Sequence, residues 1–335
     1  MMRMASFWRT HLNFLIGLII SAAAVYLSLR KIDFHALWAS LRSVNYVFLF
    51  PAVAGQISCF FLKGNGWRYL LTPAKKSISV TSATIVLIIG LMVNNLFPAK
   101  MGELARGYLM GERERLPKTL CLSTVAVEHL LDILILTIFF LLLLPSVSLP
   151  PWLQTSGTLV GFIALGMILV LFLVARREEK FLGFVNKLLS RFPDRFASKI
   201  QSILNNIFQG MRVLTGRYIF YAFAALSSMW VMAFLVAYLV LAACGLFLPF
   251  QTAIMVVVFA AFGKIIPSSP GAIGTFHYVV ILVLMSFEVS KEIALGYAIV
   301  LHALSFLIET SLGVSLVFAG NLSFRRIAHR PEESL

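Results

Sequence analysis

A polar stretch between two long apolar runs carries the residues best suited to chemistry. Residues 94–106 read NNLFPAKMGELAR, and Pro98 and Gly102 break a helix where the flanking hydropathy is typical of a membrane. Three charged side chains follow the proline: Lys100, Glu103 and Arg106. Charges beside a break in a membrane helix usually mark a site, and we call this stretch the first break.

A phosphate group is the ligand that the first break predicts. A helix that starts near Pro98 would direct the N–H groups of its first turn at the break, and Lys100 and Arg106 would add cationic donors. Glu103 would hold both cations in the absence of a ligand. Two amides complete the predicted contacts: Asn94 and Asn95. The alternative is that these charges form an ordinary basic loop on the cytoplasmic side.

A second break with the same spacing lies at residues 264–277, which read KIIPSSPGAIGTFH. Both breaks have a proline four residues before a glycine: Pro98 and Gly102 in the first, Pro267 and Gly271 in the second. Another proline and glycine follow in the second break: Pro270 and Gly274. The repetition predicts two halves that cross the membrane in opposite directions, although proline and glycine are also common in membrane helices.

The second break is less charged than the first. Ser268 or Ser269 would cap a helix that begins at Pro270, and the remaining N–H groups would lie beside the Lys264 ammonium. This arrangement predicts a weaker anion site at the other side of the membrane. Helix capping without a ligand is the alternative.

Two carboxyl groups lie inside the apolar helix that follows the first break. Glu128 and Asp132 are four residues apart and share one face, with His129 beside Glu128. Because such groups are costly in a membrane, they are expected to face the protein interior and to pair with Lys100 or Arg106, or to carry protons. A buried ion pair with a purely structural role is the alternative.

Three more titratable groups lie near or after the second break. His277 is a further candidate for carrying protons. His302 and Glu309, two turns apart on the last helix, favour a structural role.

The composition predicts an all-α polytopic membrane protein. Of the 335 residues 60% are hydrophobic and 13% charged, whereas soluble domains are roughly a quarter charged. The motifs of P-loop ATPases, zinc proteases and serine hydrolases are missing. The cysteines lie in apolar segments without metal-ligand spacing: Cys59, Cys121 and Cys244. We therefore expect a non-enzymatic protein with no metal and no cofactor.

The distribution of charge predicts orientation. The formal net charge is +14, and most of the 28 Lys and Arg residues lie in the N-terminus, 63–118, 176–217 and the C-terminus. The loops 145–156 and 245–251 hold neither residue type. By the positive-inside rule the basic stretches and both termini face the cytoplasm, so the chain is expected in a bacterial or archaeal inner membrane and not on nucleic acid.

Hydropathy divides one transmembrane domain, 1–335, into six crossings and two re-entrant hairpins. The first hairpin (78–118) enters from the cytoplasm and the second (251–287) from outside. Between them lies a cytoplasmic amphipathic connector, 176–216. The predicted crossings lie at about 12–29, 45–62, 119–144, 157–175, 218–243 and 293–320.

These residues resemble a known family, the transmembrane region of lysylphosphatidylglycerol synthases and its stand-alone, flippase-like UPF0104 relatives. His129 departs from the pattern, where Arg is expected, and so does His277, where Glu is expected. The synthases' soluble aminoacyl-transferase domain has no counterpart here. The positions that carry the resemblance are Asn94, Pro98, Lys100, Gly102, Glu103, Arg106, Glu128, His129, Asp132, Pro270, Gly271, Ala272, Gly274 and His277.

The resemblance implies movement of a lipid with an anionic headgroup between leaflets, such as a phospholipid or a polyprenyl-phosphate-linked sugar. Without an ATP motif, movement would be downhill or coupled to protons, with Glu128, Asp132 or His277 as carriers. The alternatives are a membrane-embedded lipid-modifying transferase, with Glu103, Glu128 or Asp132 as base, and an accessory lipid-binding subunit. Besides the lipid, the expected partners are a second copy or a neighbouring lipid-modifying enzyme.

Overall fold

The chain folds into helices that account for most of its length. The computed structural model describes residues 17–98, 100–146, 151–189, 194–264 and 269–320, and these ranges contain helices and no strand. This confirms the predicted all-α class. The helices are α1 (Gly17–Leu29), α2 (Phe34–Arg42), α3 (Tyr46–Leu71), α4 (Val80–Leu96), α5 (Met101–Glu114), α6 (Lys118–Leu143), α7 (Pro151–Arg176), α8 (Glu178–Leu189), α9 (Asp194–Met211), α10 (Tyr218–Ala243), α11 (Phe250–Gly263), α12 (Thr275–Met285) and α13 (Lys291–Ala319).

Within the described part of the chain, five helices are long and apolar enough to cross a membrane. Helices α3, α6 and α10 each have 26 residues, α13 has 29, and α7 contributes a span of 20 residues. At 1.5 Å per residue each can span a hydrocarbon core of roughly 30 Å. The chain is therefore a polytopic membrane protein. The sixth predicted crossing, 12–29, corresponds to α1 and lies partly outside the described residues.

Two pairs of short helices, α4 with α5 and α11 with α12, correspond to the predicted hairpins, and all but α5 are apolar. Helix α4 ends at Leu96, and the chain turns at Lys100, whose φ of 53° is left-handed, before α5 begins. Helix α11 ends at Gly263, and a single 3-10 turn, Pro270–Ala272, precedes α12. With 17 residues in α4 and 14 in α11, each is short for a full crossing, which needs about 20.

The helix contacts repeat between the two halves of the chain. Each half has the order long helix, broken hairpin, long helix: α3 to α6, then α10 to α13. Helices α3 and α10 pack most extensively, α4 packs on α13, and the equivalent α11 packs on α6. This exchange of partners is what two equivalent halves related by a two-fold axis produce, and it supports the inverted repeat.

The first hairpin closes at a contact between two glycines. A Cβ at Gly102 would overlap the carbonyl oxygen of Gly90 and lie 2.6 Å from Asn94 Oδ1. The Gly102 N–H donates to this same Asn94 oxygen at 2.8 Å. Helices α4 and α5 can therefore approach this closely only because neither residue has a side chain.

The other end of the first hairpin is closed by a carboxylate. Lys75 Nζ donates to Glu114 Oε2 at 2.6 Å, and Ser82 Oγ donates to Glu114 Oε1 at 2.7 Å. Burial by itself raises the pKa of Glu114, but the hydrogen bonds from Lys75 and Ser82 outweigh it and hold this pKa below its ordinary value. The start of α4 and the end of α5 are thereby joined to the loop after α3.

Three local predictions were wrong. Helix α3 runs to Leu71 rather than 62, so Lys63 lies inside the helix, where acidic residues of α6 neutralise it. Pro98 precedes the turn and does not start α5. Ser269 does occupy the N-cap position of a short 3-10 helix that begins at Pro270, but its side chain makes no capping hydrogen bond, because the hydroxyl donates to the carbonyl of Ile273 at 3.1 Å. The predictions made for Pro267 and Ser268 fall outside the described residues.

The glycine contact predicts the effect of a single methyl group. Gly102→Ala should lower the free energy of unfolding by about 1–3 kcal/mol, the usual cost of overpacking. Gly166→Ala on α7 is the matched control, because nothing lies within 4 Å of a Cβ placed there. Thermal unfolding of the purified proteins in detergent micelles measures both, and equal melting temperatures would contradict the packing argument.

Candidate functional site

A buried ion pair between α5 and α6 forms the centre of the candidate site. Arg106 Nη1 donates to Glu128 Oε1 at 3.0 Å, and Nη2 donates to Glu128 Oε2 at 2.7 Å. The relative exposure of the two side chains is 2% and 0%. A bidentate pair fixes both the distance and the orientation of its partners, so α5 and α6 are held in one register.

The Arg106 guanidinium also stacks on an aromatic ring. Its carbon lies 4.4 Å from the centroid of the Trp67 ring on α3. The indole N–H of Trp67 donates to Thr124 Oγ1 of α6 at 3.1 Å, so the ring is itself fixed. Arg106 is thereby enclosed by three helices, and the predicted use of this side chain to hold a phosphate bidentately is replaced by its pairing with Glu128.

Lys63 on α3 neutralises the second carboxylate of α6. Its Nζ lies 2.6 Å from Asp132 Oδ2 and 3.4 Å from Glu128 Oε1. The other Asp132 oxygen accepts the indole N–H of Trp230 on α10 at 2.9 Å. Lys63 belongs to the site, although the sequence analysis assigned it to a cytoplasmic stretch. Its position one helical turn before Trp67 was the signal in the sequence that could have placed it on the same helix face.

Glu103 and His129 form the exposed side of the same cluster. His129 Nε2 lies 3.0 Å from Glu103 Oε2, and its Nδ1 lies 4.0 Å from Asp132 Oδ2. Glu103 also accepts the amide of Asn94 at 3.0 Å and lies 3.4 Å from Arg106 Nη1. The His129 side chain is 44% exposed, so this edge of the cluster is accessible from outside it.

The cluster carries an excess of negative charge. Two cations, Lys63 and Arg106, face three carboxylates: Glu103, Glu128 and Asp132. With His129 neutral the formal sum is one negative charge, and a proton on His129 makes it zero. The interior of the first hairpin is thus anionic or neutral, in contrast to the cationic phosphate site that the sequence predicted.

Lysines at the two breaks lie apart from this cluster. Lys100 is exposed and makes no ion pair with any described residue, so the predicted Lys100–Glu103 pairing is wrong. Lys264 is also exposed, and its ammonium lies 5.3 Å from the ring of Phe276 without a carboxylate partner in the described ranges. Each break therefore presents one ammonium group.

The two breaks meet inside the bundle. A Cβ on Gly271, whose φ is 66°, would lie 3.6 Å from the carbonyl oxygen of Asn95. The Asn95 amide donates to Glu309 Oε2 of α13 at 2.9 Å. The Ser269 N–H donates to Ser21 Oγ of α1 at 2.7 Å. Asn95 is thus a contact between the halves, a role that the sequence did not indicate.

A histidine pair lies beside the second break. His277 Nε2 and His302 Nδ1 are 3.4 Å apart, with ring centroids at 4.8 Å. The Gly274 N–H lies 3.4 Å from His277 Nδ1, and the φ of Gly274 is 92°. A Cβ at Gly274 would lie 2.6 Å from the Ser21 carbonyl oxygen, which explains the glycine. His302, predicted to be structural, therefore contacts the site residue His277.

The buried ion pair predicts an unequal response to two carboxylate deletions. Glu128→Ala leaves Arg106 buried without its main partner, so the free energy of unfolding should fall by about 3–5 kcal/mol. Glu112→Ala, which removes the 58% exposed partner of Lys118, should cost at most about 1 kcal/mol. Unfolding midpoints in detergent micelles compare the two variants.

A double variant separates the lost pair from the unpaired charge. Replacing both partners, with Arg106→Met and Glu128→Leu, should recover much of the stability that Glu128→Ala removes, because no buried charge remains alone. A double variant as unstable as Glu128→Ala would contradict this reading.

Two comparisons with known proteins cover most of the chain. The family model of the lysylphosphatidylglycerol synthase TM region matches residues 14–313. A UPF0104 membrane protein of Methanocaldococcus jannaschii is 22% identical over 321 residues, which cover 88% of this chain and 90% of that protein. The match includes both breaks and nearly all the described helices, and the chain therefore belongs to the family of the lysylphosphatidylglycerol synthase transmembrane region.

Proposed function

We propose that this protein moves a lipid with an anionic headgroup, such as a phospholipid or a polyprenyl-phosphate-linked sugar, between the leaflets of the cytoplasmic membrane. The observation that carries the proposal is the contact of two broken hairpins inside an apolar bundle, each with an exposed lysine at its break. Unpaired backbone groups are tolerated at membrane depth where they line a polar path. Two such breaks in contact supply a polar path of this kind.

The lysines are the groups we assign to the phosphate. The Gly102 N–H is taken by Asn94, and the Glu103 N–H donates to the Lys100 carbonyl at 3.0 Å, so the first turn of α5 has few free donors. Arg106 is enclosed by Glu128 and Trp67. Lys100 and Lys264 remain as exposed ammonium groups, and an ammonium binds phosphate as a mobile point charge. Loose binding suits a step that must also release the headgroup.

Family membership supports a role connected with membrane lipids. The matched family is named for a region of the lysylphosphatidylglycerol synthases, and its relative here is described as a membrane protein. The distribution of basic residues supports an orientation with both termini in the cytoplasm.

The transferase alternative receives less support from the geometry. Its three candidate bases all have cationic or hydrogen-bonding partners: Glu103, Glu128 and Asp132. A carboxylate stabilised in this way is a poor acceptor for a proton from a substrate. The cluster is better suited to holding α3, α5, α6 and α10 in place than to chemistry on a lipid.

Reconstitution in liposomes tests the proposal. Vesicles of phosphatidylcholine with a trace of tail-labelled phosphatidylglycerol should equilibrate the label between leaflets faster with the protein than without it. Lys100→Ala together with Lys264→Ala should slow the initial rate about tenfold or more, since a hydrogen bond to a charged group contributes about 1.5–3 kcal/mol. Dithionite quenching of the outer-leaflet label measures the rate.

A charge-matched control uses two exposed lysines away from the breaks, Lys76→Ala together with Lys180→Ala. This variant loses the same charge and should keep the rate of the unchanged protein. Equal rates for the two double variants would contradict the lysine assignment. Mass spectrometry of the extracted lipid should recover the same molecule, whereas a chemically new lipid would establish a transferase.

A further inference from the structure

Equivalent positions of the two halves carry titratable side chains that touch each other. Glu103 is the third residue of α5, and His277 is the third residue of α12. His129 is the twelfth residue of α6, and His302 is the twelfth residue of α13. The helices α5 and α12 correspond in the repeat, as do α6 and α13. The two histidines therefore occupy the same place in the two halves.

The contacts at these positions are equivalent too. His129 Nε2 lies 3.0 Å from Glu103 Oε2, which we call the first histidine contact. His302 Nδ1 lies 3.4 Å from His277 Nε2, which we call the second histidine contact. In each half the start of the second hairpin helix thus touches a histidine of the following long helix. An inverted repeat would direct the two contacts to opposite sides of the membrane.

The carboxylates of α6 are poorly placed to exchange protons with a path. Glu128 is fully buried and accepts two hydrogen bonds from Arg106. Asp132 accepts from Lys63 and from Trp230. Both acids would have to break charged contacts to bind a proton. His129, with 44% of its side chain exposed, is the titratable group of the cluster that remains accessible.

The partners of His129 show where a proton would bind. His129 Nε2 lies 3.0 Å from Glu103 Oε2 but has no hydrogen-bond partner among the described residues. The other ring nitrogen, Nδ1, lies 4.0 Å from Asp132 Oδ2. Both ring nitrogens therefore face a carboxylate, and a proton on either one would cancel the single negative charge of the cluster.

The second histidine contact differs from the first because its ring nitrogens face hydrogen-bond partners and no carboxylate. The Gly274 N–H is directed at His277 Nδ1, so His277 carries its proton on Nε2 and donates it to His302 Nδ1. An added proton would have to bind at one of the two accepting nitrogens and remove a hydrogen bond. An added proton would thus meet carboxylates at the first contact, whereas it would remove a hydrogen bond at the second.

The two charged groups around the second contact come from α11 and α13. Lys264 at the end of α11 lies over the ring of Phe276, next to His277, and opposes a further positive charge. Glu309 lies two turns after His302 on α13 and favours one. Asn95 of α4 and Ser21 of α1 face the same region without charge. Around His129 the groups are Glu103, Arg106, Glu128, Asp132 and Lys63.

We propose that His129 and the His277–His302 pair are two proton-binding sites, one for each half of the repeat, and that lipid movement is coupled to the proton gradient through them. The inference rests on the proposed function and supplies its energy source. Two histidine contacts at equivalent positions, with different surroundings, suit an alternating cycle, because the halves exchange their states in each turnover. Each site takes up one proton at an imidazole nitrogen and returns the same proton to water.

Leaflet distributions under an imposed pH difference test the coupling. The unchanged protein is reconstituted with tail-labelled phosphatidylglycerol, and potassium with valinomycin holds the membrane potential at zero. At equal pH the label should become even between the leaflets. A difference of one pH unit should then produce an uneven distribution, up to about tenfold for one proton per lipid, and reversing the gradient should reverse it.

Glutamine variants identify the sites. His129→Gln can still donate to Glu103 but does not titrate, and His302→Gln removes one imidazole of the second contact. Both should give an even distribution under the gradient, whatever their absolute rates. His35→Gln on α2, an exposed histidine outside both contacts, should respond like the unchanged protein. A purely structural role would slow both directions equally and leave the gradient response intact.

The outcomes separate the two proposals. An even distribution under the gradient, in a protein that equilibrates lipid at equal pH, overturns the coupling and leaves translocation standing. A gradient response that persists in both glutamine variants overturns the assignment to the histidines. No movement above protein-free vesicles at equal pH overturns the proposed function, and the coupling with it.

Discussion

The cost of placing charge in a low-dielectric interior governs this structure. Arg106 is tolerated between helices only because Glu128 pairs with it through two hydrogen bonds and Trp67 covers its face. Asp132 of α6 is neutralised in the same way, because it accepts hydrogen bonds from Lys63 of α3 and from Trp230 of α10. Removing a charged partner would leave a buried charge alone, so α3, α5, α6 and α10 are held in one arrangement. The first break therefore lies beside helices whose relative positions are fixed.

The breaks are the second consequence of a membrane environment. A helix that stops at membrane depth needs polar partners. Here the two breaks pack against each other at Asn95 and Gly271, and the Asn95 side-chain amide donates to Glu309 of α13. The two halves differ in the side chains that lie near their breaks. The first hairpin brings an ionic cluster, whereas the second brings two imidazoles and one lysine. The two hairpins are thus similar in helix order but different in the side chains at their breaks.

Much of the fold could be predicted from the chain because apolar length is a local property. The crossings at α6, α10 and α13 fall within two residues of their predicted ends, and both breaks lie where proline and glycine indicated. The prediction for Lys63 was wrong for the same reason. Hydropathy treats a lysine as the end of a crossing, but Lys63 lies inside α3 because a carboxylate on α6, far along the chain, neutralises it. Residues whose role depends on a partner far along the chain were therefore the ones missed.

The sequence by itself determined the class of protein, the positions of the two breaks and the set of charged groups near the first one, because composition and spacing carry that information. Only the tertiary structure decided which charges pair. It enclosed Arg106, left Lys100 and Lys264 exposed, and brought His302 to His277 across two helices. The physical reason is that a pairing energy depends on distances between helices, and those distances are set by packing such as that of Gly102 on Gly90, which no local pattern contains.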